Sequence, residues 1–171
     1  MNLSPDVVLP RLRGSFGREY HYAAETASTQ LMLPADASHG AVAVAEHQTE
    51  GRGRLGRVWI DEPGAGLSFS VVLYPPPPVS RWPELTLVAA RAVAAAIGER
   101  AAIDPPNDVL VGGRKAAGIL AEASERVVVG IGVNVGTAPW PDAGYVGADR
   151  LDLLVAILAE LERGYNHWVR D

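Results

Sequence analysis

Nine residues, Gly51 to Trp59, read GRGRLGRVW: three glycines and three arginines among them, closed by a tryptophan. Backbone N–H groups in a glycine-rich loop can approach a phosphate closely, and guanidinium forks can grip its oxygens in bidentate pairs. Gly51, Gly53 and Gly56 would supply the approach, and Arg52, Arg54 and Arg57 the forks. Two plainer readings stand beside this one: a solvated connection between strands, or an RG-type contact with RNA. RG-type contacts usually come as repeated tracts, and this one occurs once.

A second charge stands out by its type. Fourteen of the fifteen basic residues are arginine, and the only lysine is Lys115. In a chain that exchanges lysine for arginine wherever either serves, a retained lysine marks a place where a compact ammonium is needed, facing one carboxylate or phosphate oxygen. An exposed lysine at a strand end is the alternative. Asn107 and Asp108, in PPNDVL, and Asn134, in GIGVNV, add amides and a carboxylate, although alone each reads as a turn former. The four histidines, His21, His39, His47 and His167, lack metal-ligand spacing, so no protein metal site is assigned.

The rest of the composition bounds the partners. A net charge of −5 argues against nucleic acid, whose binding rests on many lysine and arginine contacts to phosphates. The absence of cysteine removes disulfides, thiolate metal sites and cysteine nucleophiles. No apolar run reaches the ~18 residues of a membrane span, and MNLSPDVVLP lacks the pattern of a signal peptide. The expectation is a cytoplasmic protein, one domain over residues 1–171, with no DNA and no membrane partner.

The elements that must position these residues follow from periodicity. Arg18 to Thr29 reads as a strand ending at Ser28-Thr29, either of which can cap a short helical turn limited by Pro34. Gly40 to Gln48 and Gly66 to Tyr74 read as buried strands on either side of the loop, the second stopped by Pro75 to Pro78. Trp82 to Arg100 has helical spacing, with Pro83 in the first turn. Asp108 to Ala123 reads as a hairpin turning at Gly112-Gly113, Arg126 to Gly136 as a further strand, and Asp149 to Val169 as a closing amphipathic helix. Interspersed strands, hairpins and helices predict an α+β fold with a mixed, mostly antiparallel sheet.

In chain order, ETASTQ, AEHQTEGRGRLGRVW, PPNDVLVGGRKAAGILAE and GIGVNVG resemble the biotin protein ligase family, whose pattern is Ser-Thr-Asn, GRGRxGRxW, KWPNDxx with KxxGIL, then GxGxN. The resemblance runs from Glu25 to Asn134 and implies a class II synthetase-like catalytic domain. By position it implies biotin contacts at Ser28, Thr29, Gln30, Gln48, Gly51, Arg52, Gly53, Arg54 and Lys115. It likewise implies contacts to ATP at Arg57, Trp59, Asn107, Asp108 and Asn134, with Lys115 and Arg54 serving catalysis. The implied substrates are biotin and ATP, with Mg2+. The implied partner is the biotin carboxyl carrier protein of acetyl-CoA carboxylase, and a homodimer is compatible. Gln30 departs from the family's asparagine, and Asp104-Pro105 from its Lys-Trp. Neither an N-terminal helix-turn-helix domain nor a C-terminal SH3-like barrel is expected in this chain. Two other readings remain: a lipoate or octanoate ligase on the same scaffold, which the GRGRLGR loop disfavours, and a biotin or adenylate binding protein without turnover.

Overall fold

Strand alternation organises the molecule, which a computed structural model describes over residues 1–171. In β3 (Gly66–Leu73, GLSFSVVL), Leu67, Phe69, Val71 and Leu73 face one side and Ser68, Ser70 and Val72 the other. The strand β7 (Val127–Asn134, VVVGIGVN) pairs with β3 antiparallel, setting Ser70 opposite Gly130 and Ser68 opposite Gly132. The large apolar side of both strands joins the main core. The other side is lined by small residues.

Seven strands form one sheet in the order β1-β2-β3-β7-β6-β5-β4, where β1 is Tyr20–Thr26, β2 Val42–Gln48, β4 Ala101–Asp104, β5 Asp108–Val111 and β6 Arg114–Ala123. Only β1 and β2 run parallel; every other pair is antiparallel. The expected mixed, mostly antiparallel sheet is therefore present. A short helix α1 (Pro5–Val8) precedes it, and two longer helices, α2 (Leu85–Ile97) and α3 (Arg150–Arg170), pack against each other. Their apolar residues, among them Leu85, Val93, Leu154, Ile157 and Leu158, are buried with Phe69 and Ile131 in the main core. No helix is long and apolar enough to cross a membrane.

Local chemistry explains the boundaries. Ser28 Oγ accepts from the Gln30 N–H and caps a 3-10 turn, Thr29–Leu31, as its residue type implied. Gly112 and Gly113 both take positive φ, 60° and 75°, the geometry of a two-residue hairpin turn. Asp149 caps α3 by accepting from the Asp152 N–H at 2.9 Å.

Two expected boundaries need correction, and one strand is added. The helix predicted from Trp82 begins at Leu85, because Val79–Glu84, with Pro83 inside it, forms a 3-10 turn. The helix also ends at Ile97, where Gly98 leaves the helical region at φ 100°. Ala101–Asp104 is a strand that extends the hairpin to a three-stranded meander; four residues are too few for alternation to show in sequence.

Two carboxylates tie the N-terminal segment down. Glu46 accepts from the Leu3 N–H at 2.6 Å and the Tyr22 hydroxyl at 2.9 Å, with Arg150 2.8 Å from its other oxygen. Glu162 accepts from the Ser15 N–H and Ser15 Oγ. Burial pushes both carboxyls up, but these donors and charges outweigh it and hold them below the usual 4.5. Hydrogen bonds from His21 and Ser38 likewise hold Glu19 at about 2. A depressed carboxyl contributes stability above the unfolded value, and that stability is lost as pH falls through the folded value. Exchange protection at the Leu3 and Ser15 amides should therefore hold at neutral pH and fall below pH 4.5, before that of β3 and β7. Simultaneous loss in an acid-titration exchange experiment would show that these carboxylates do not control the segment.

Candidate functional site

A cavity of about 210 Å³ lies on the small-residue side of the sheet. Its floor is made of glycine. Gly118 on β6 stands opposite Gly132 on β7, with Gly130 two residues further along the same face. Trp59 lies directly on this floor: a β-carbon at Gly132 would overlap the indole at Cε2, and one at Gly118 would sit 3.3 Å from Cζ3. A β-carbon at Gly130 would come 2.7 Å from Gln30 Oε1. The glycines thus make room for side chains arriving from elsewhere in the chain. The alternation GIG between valines carries this signal in the sequence.

One end of the cavity is neutral and hydrogen-bonding. Gln48 Oε1 accepts from the Thr29 N–H at 2.9 Å, and Thr29 Oγ1 lies 3.2 Å from it. Thr29 Oγ1 and Ser70 Oγ are 2.7 Å apart, and Ser70 Oγ donates to Gln30 Oε1 at 2.6 Å. Gln30 Nε2 donates to Glu122 Oε1 at 2.8 Å. With Oε1 of Gln48 so occupied, its two amide hydrogens remain for a ligand. Ser28, Thr29 and Gln48 are all buried.

The other end is charged. Lys115 Nζ stands 3.1 Å from Asp108 Oδ1 and 5.8 Å from the centre of the Trp59 ring. Arg54 Nη1 donates to Asn107 Oδ1 at 3.3 Å, and Asn107 Nδ2 donates to the Ile119 carbonyl at 3.2 Å. Trp59 Nε1 is buried and donates no hydrogen bond, while the buried Asp108 Oδ1 has only the Lys115 ammonium beside it. An orphaned indole N–H at a cavity wall leaves a position that a bound molecule can satisfy.

The arginine-glycine loop is a miniature hairpin. Arg52 and Val58 form a bridge, the Gly53 N–H donates to the Arg57 carbonyl, and the Trp59 N–H to the Gly51 carbonyl. Arg52 pairs with Glu122 at 3.1 Å. At the tip, Leu55 takes φ 58°, and Leu55 and Val58 are exposed. Gly51 has no room for a side chain, because a β-carbon there would overlap the Trp59 carbonyl.

Most of the residues singled out from the sequence line this one cavity: Ser28, Thr29, Gln30, Gln48, Arg52, Gly53, Arg54, Arg57, Trp59, Asn107, Asp108 and Lys115. Two do not. Gly51 sits behind the lining, at the loop's root. Asn134 is buried beyond the glycine floor and donates to the Gly144 carbonyl at 3.1 Å, tying the following loop to the end of β7. Two contributors went unread in the sequence besides the glycine floor: Ser70 and Glu122 link the neutral end to the loop. No group of three or more His, Cys, Asp or Glu side chains converges for a metal.

Comparison with known proteins fits this geometry. The Biotin/lipoate A/B protein ligase family matches residues 22–136. The chain is 40% identical over 178 residues to the biotin–(acetyl-CoA-carboxylase) ligase of Mycobacterium tuberculosis, covering 91% of this chain and 67% of that protein. It is 42% identical over 119 residues to the bifunctional ligase/repressor BirA of Bacillus subtilis, covering 63% of this chain but 37% of that protein. Among solved structures, the biotin protein ligase from Aquifex aeolicus in complex with biotin and ATP superposes with a TM-score of 0.77 at 30% identity, over 90% of this chain and 73% of that one. The chain thus spans from about a third to two thirds of the length of these curated relatives. With the match covering the sheet, the loop and the lysine strand together, this chain belongs to the biotin/lipoate A/B protein ligase family.

Proposed function

We propose that this chain is the catalytic domain of a biotin protein ligase, activating biotin with ATP and passing it to a lysine of a biotin carboxyl carrier protein. The observation that carries the reading is the division of the cavity. A cationic end holds Lys115 and Arg54, and a neutral end holds Ser28, Thr29 and the free amide of Gln48. Biotin has matching ends, a carboxylate and an uncharged urea. Lipoate carries a dithiolane ring that offers the neutral end nothing to bond.

In this reading Lys115 leaves Asp108 for the biotin carboxylate and holds it against the α-phosphate, reducing the repulsion between two anions. One carboxylate oxygen forms a bond to phosphorus while the bond to the departing pyrophosphate breaks. Arg52, Arg54 and Arg57 supply positive charge over the resulting phosphate, and Trp59 excludes water from the mixed anhydride. The carrier's neutral amine then attacks the acyl carbon; AMP leaves, and the amine's proton passes to solvent. Asp108 is the only carboxylate lining the cavity, and with Lys115 drawn to the substrate its Oδ1 would be free to serve as the one protein ligand of a magnesium ion otherwise held by the nucleotide's phosphates. Such an ion would balance charge on the pyrophosphate. A cytoplasmic location accords with a chain free of cysteine.

One observation favours a second reading, binding without turnover. Asp104 and Pro105 are exposed and offer no cation or aromatic plate beside Asn107. Pyrophosphate release measured with ATP and either biotin or lipoate separates the readings. Release is expected with biotin and at least tenfold less with lipoate. Biotin binding with no pyrophosphate under any condition would establish the second reading instead.

A further inference from the structure

We infer that Asp61 is a positioning residue that holds the two sides of the cavity in register. It lies at the exit of the arginine-glycine loop, and its side chain is only 3% exposed. Its carboxylate accepts from three groups. Oδ2 takes the Gln48 backbone N–H and Ser68 Oγ, each at 3.0 Å, and Oδ1 lies 2.5 Å from His47 Nδ1. Gln48 is the last residue of β2 before the loop, and Trp59 lies two residues before Asp61. A single buried carboxylate therefore fastens the loop's exit to its entrance.

The consequence reaches the site through Gln48 and Trp59. The Gln48 backbone held by Asp61 carries the side chain whose Oε1 receives the Thr29 N–H and whose amide hydrogens point to the neutral end. Trp59 rests on Gly132 and Gly118 only while the segment leading out of the loop stays fixed. Ser68 joins the clamp from β3, the strand that also supplies Ser70 to the neutral end. Because the carboxylate is dry and fully occupied, losing it leaves a hydroxyl, an amide and an imidazole seeking partners at one point.

The inference rests on the biotin-site reading for its substrate effect, but not for its effect on the loop. Asp61→Asn keeps an oxygen for Gln48 and Ser68 and can donate to a neutral His47, so it should restore what Asp61→Ala loses. The experiment compares both variants with the parent protein in three measurements: thermal melting, trypsin cleavage after Arg54 and Arg57 without ligand, and KM for biotin in pyrophosphate release. Asp61→Ala should be cleaved at least tenfold faster, with KM for biotin raised at least tenfold. Asp61→Asn should return both readouts to within threefold. If Asp61→Ala does not fold, Ser68→Ala removes one donor and should raise cleavage and biotin KM together by two- to fivefold. A lowered melting temperature with cleavage and biotin KM unchanged would overturn the inference, as would Asp61→Asn behaving like Asp61→Ala. A parent that releases no pyrophosphate would refute the substrate reading and leave the cleavage measurement to decide the clamp.

Discussion

Lys115→Ala is expected to lower biotin-dependent pyrophosphate release about 100- to 1000-fold while leaving the fold intact. That loss corresponds to roughly 3 to 4 kcal/mol, the scale for removing one charge-assisted contact made chiefly in the transition state. The fold should survive because the lysine side chain is 43% exposed and its one ion pair, with Asp108, is partly open to solvent; such pairs contribute little to stability. Lys115→Arg should fail as well. A planar guanidinium cannot take the place of a compact ammonium between Asp108 and the Trp59 ring. Turnover close to that of the parent in either variant, measured beside an unchanged circular dichroism spectrum, would remove Lys115 from the reaction.

Gly132→Ala should produce a protein that is folded and inactive. Glycine inside a strand is less favourable than alanine by roughly 0.5 to 1 kcal/mol, and Gly132 does not adopt a positive φ, so backbone energetics favour the substitution. The added methyl overlaps Trp59, however, and the indole must leave the floor. With the lid displaced and the cavity opened, biotin-dependent release should fall about 100-fold or more, most of it in KM for biotin, by analogy with the large effects of small misplacements at reacting centres. Melting temperature and turnover would be measured on the same preparation. Full activity with an unmoved melting point would mean that Trp59 does not need its seat.

These two residues also show what could be read in advance. Lys115 was legible because its type is singular in the chain, and the loop because glycine and arginine alternate over a few consecutive residues. The main strands and both long helices followed from alternation and helical spacing over eight residues or more. The glycine floor was written in the same alternation but depended on knowing that β6 and β7 are neighbours with Gly118 facing Gly132. Asp61 and Glu122 were harder still. Asp61 meets Gln48 and Ser68 only once the loop has folded back, and Glu122 meets Gln30 and Arg52 across a long stretch of chain, through the strand order. Asn134 stands apart: its motif places it at the end of a strand, and in the fold its amide donates to the Gly144 carbonyl.

The unequal faces of the sheet impose two opposite rules of substitution on neighbouring residues. At Val129, Ile131 and Val133, buried against the helices, trimming a side chain opens a void and enlarging it strains the helix layer. At Gly130 and Gly132 there is nothing to trim, and every change adds bulk to space already assigned to Gln30, Trp59 or a ligand. Drift along β7 is therefore confined by volume on alternate residues for different reasons, folding on one side and chemistry on the other. A lineage that gave up the reaction would be free to fill the glycine positions first, and filled glycines in an otherwise intact strand would be a mark of lost activity.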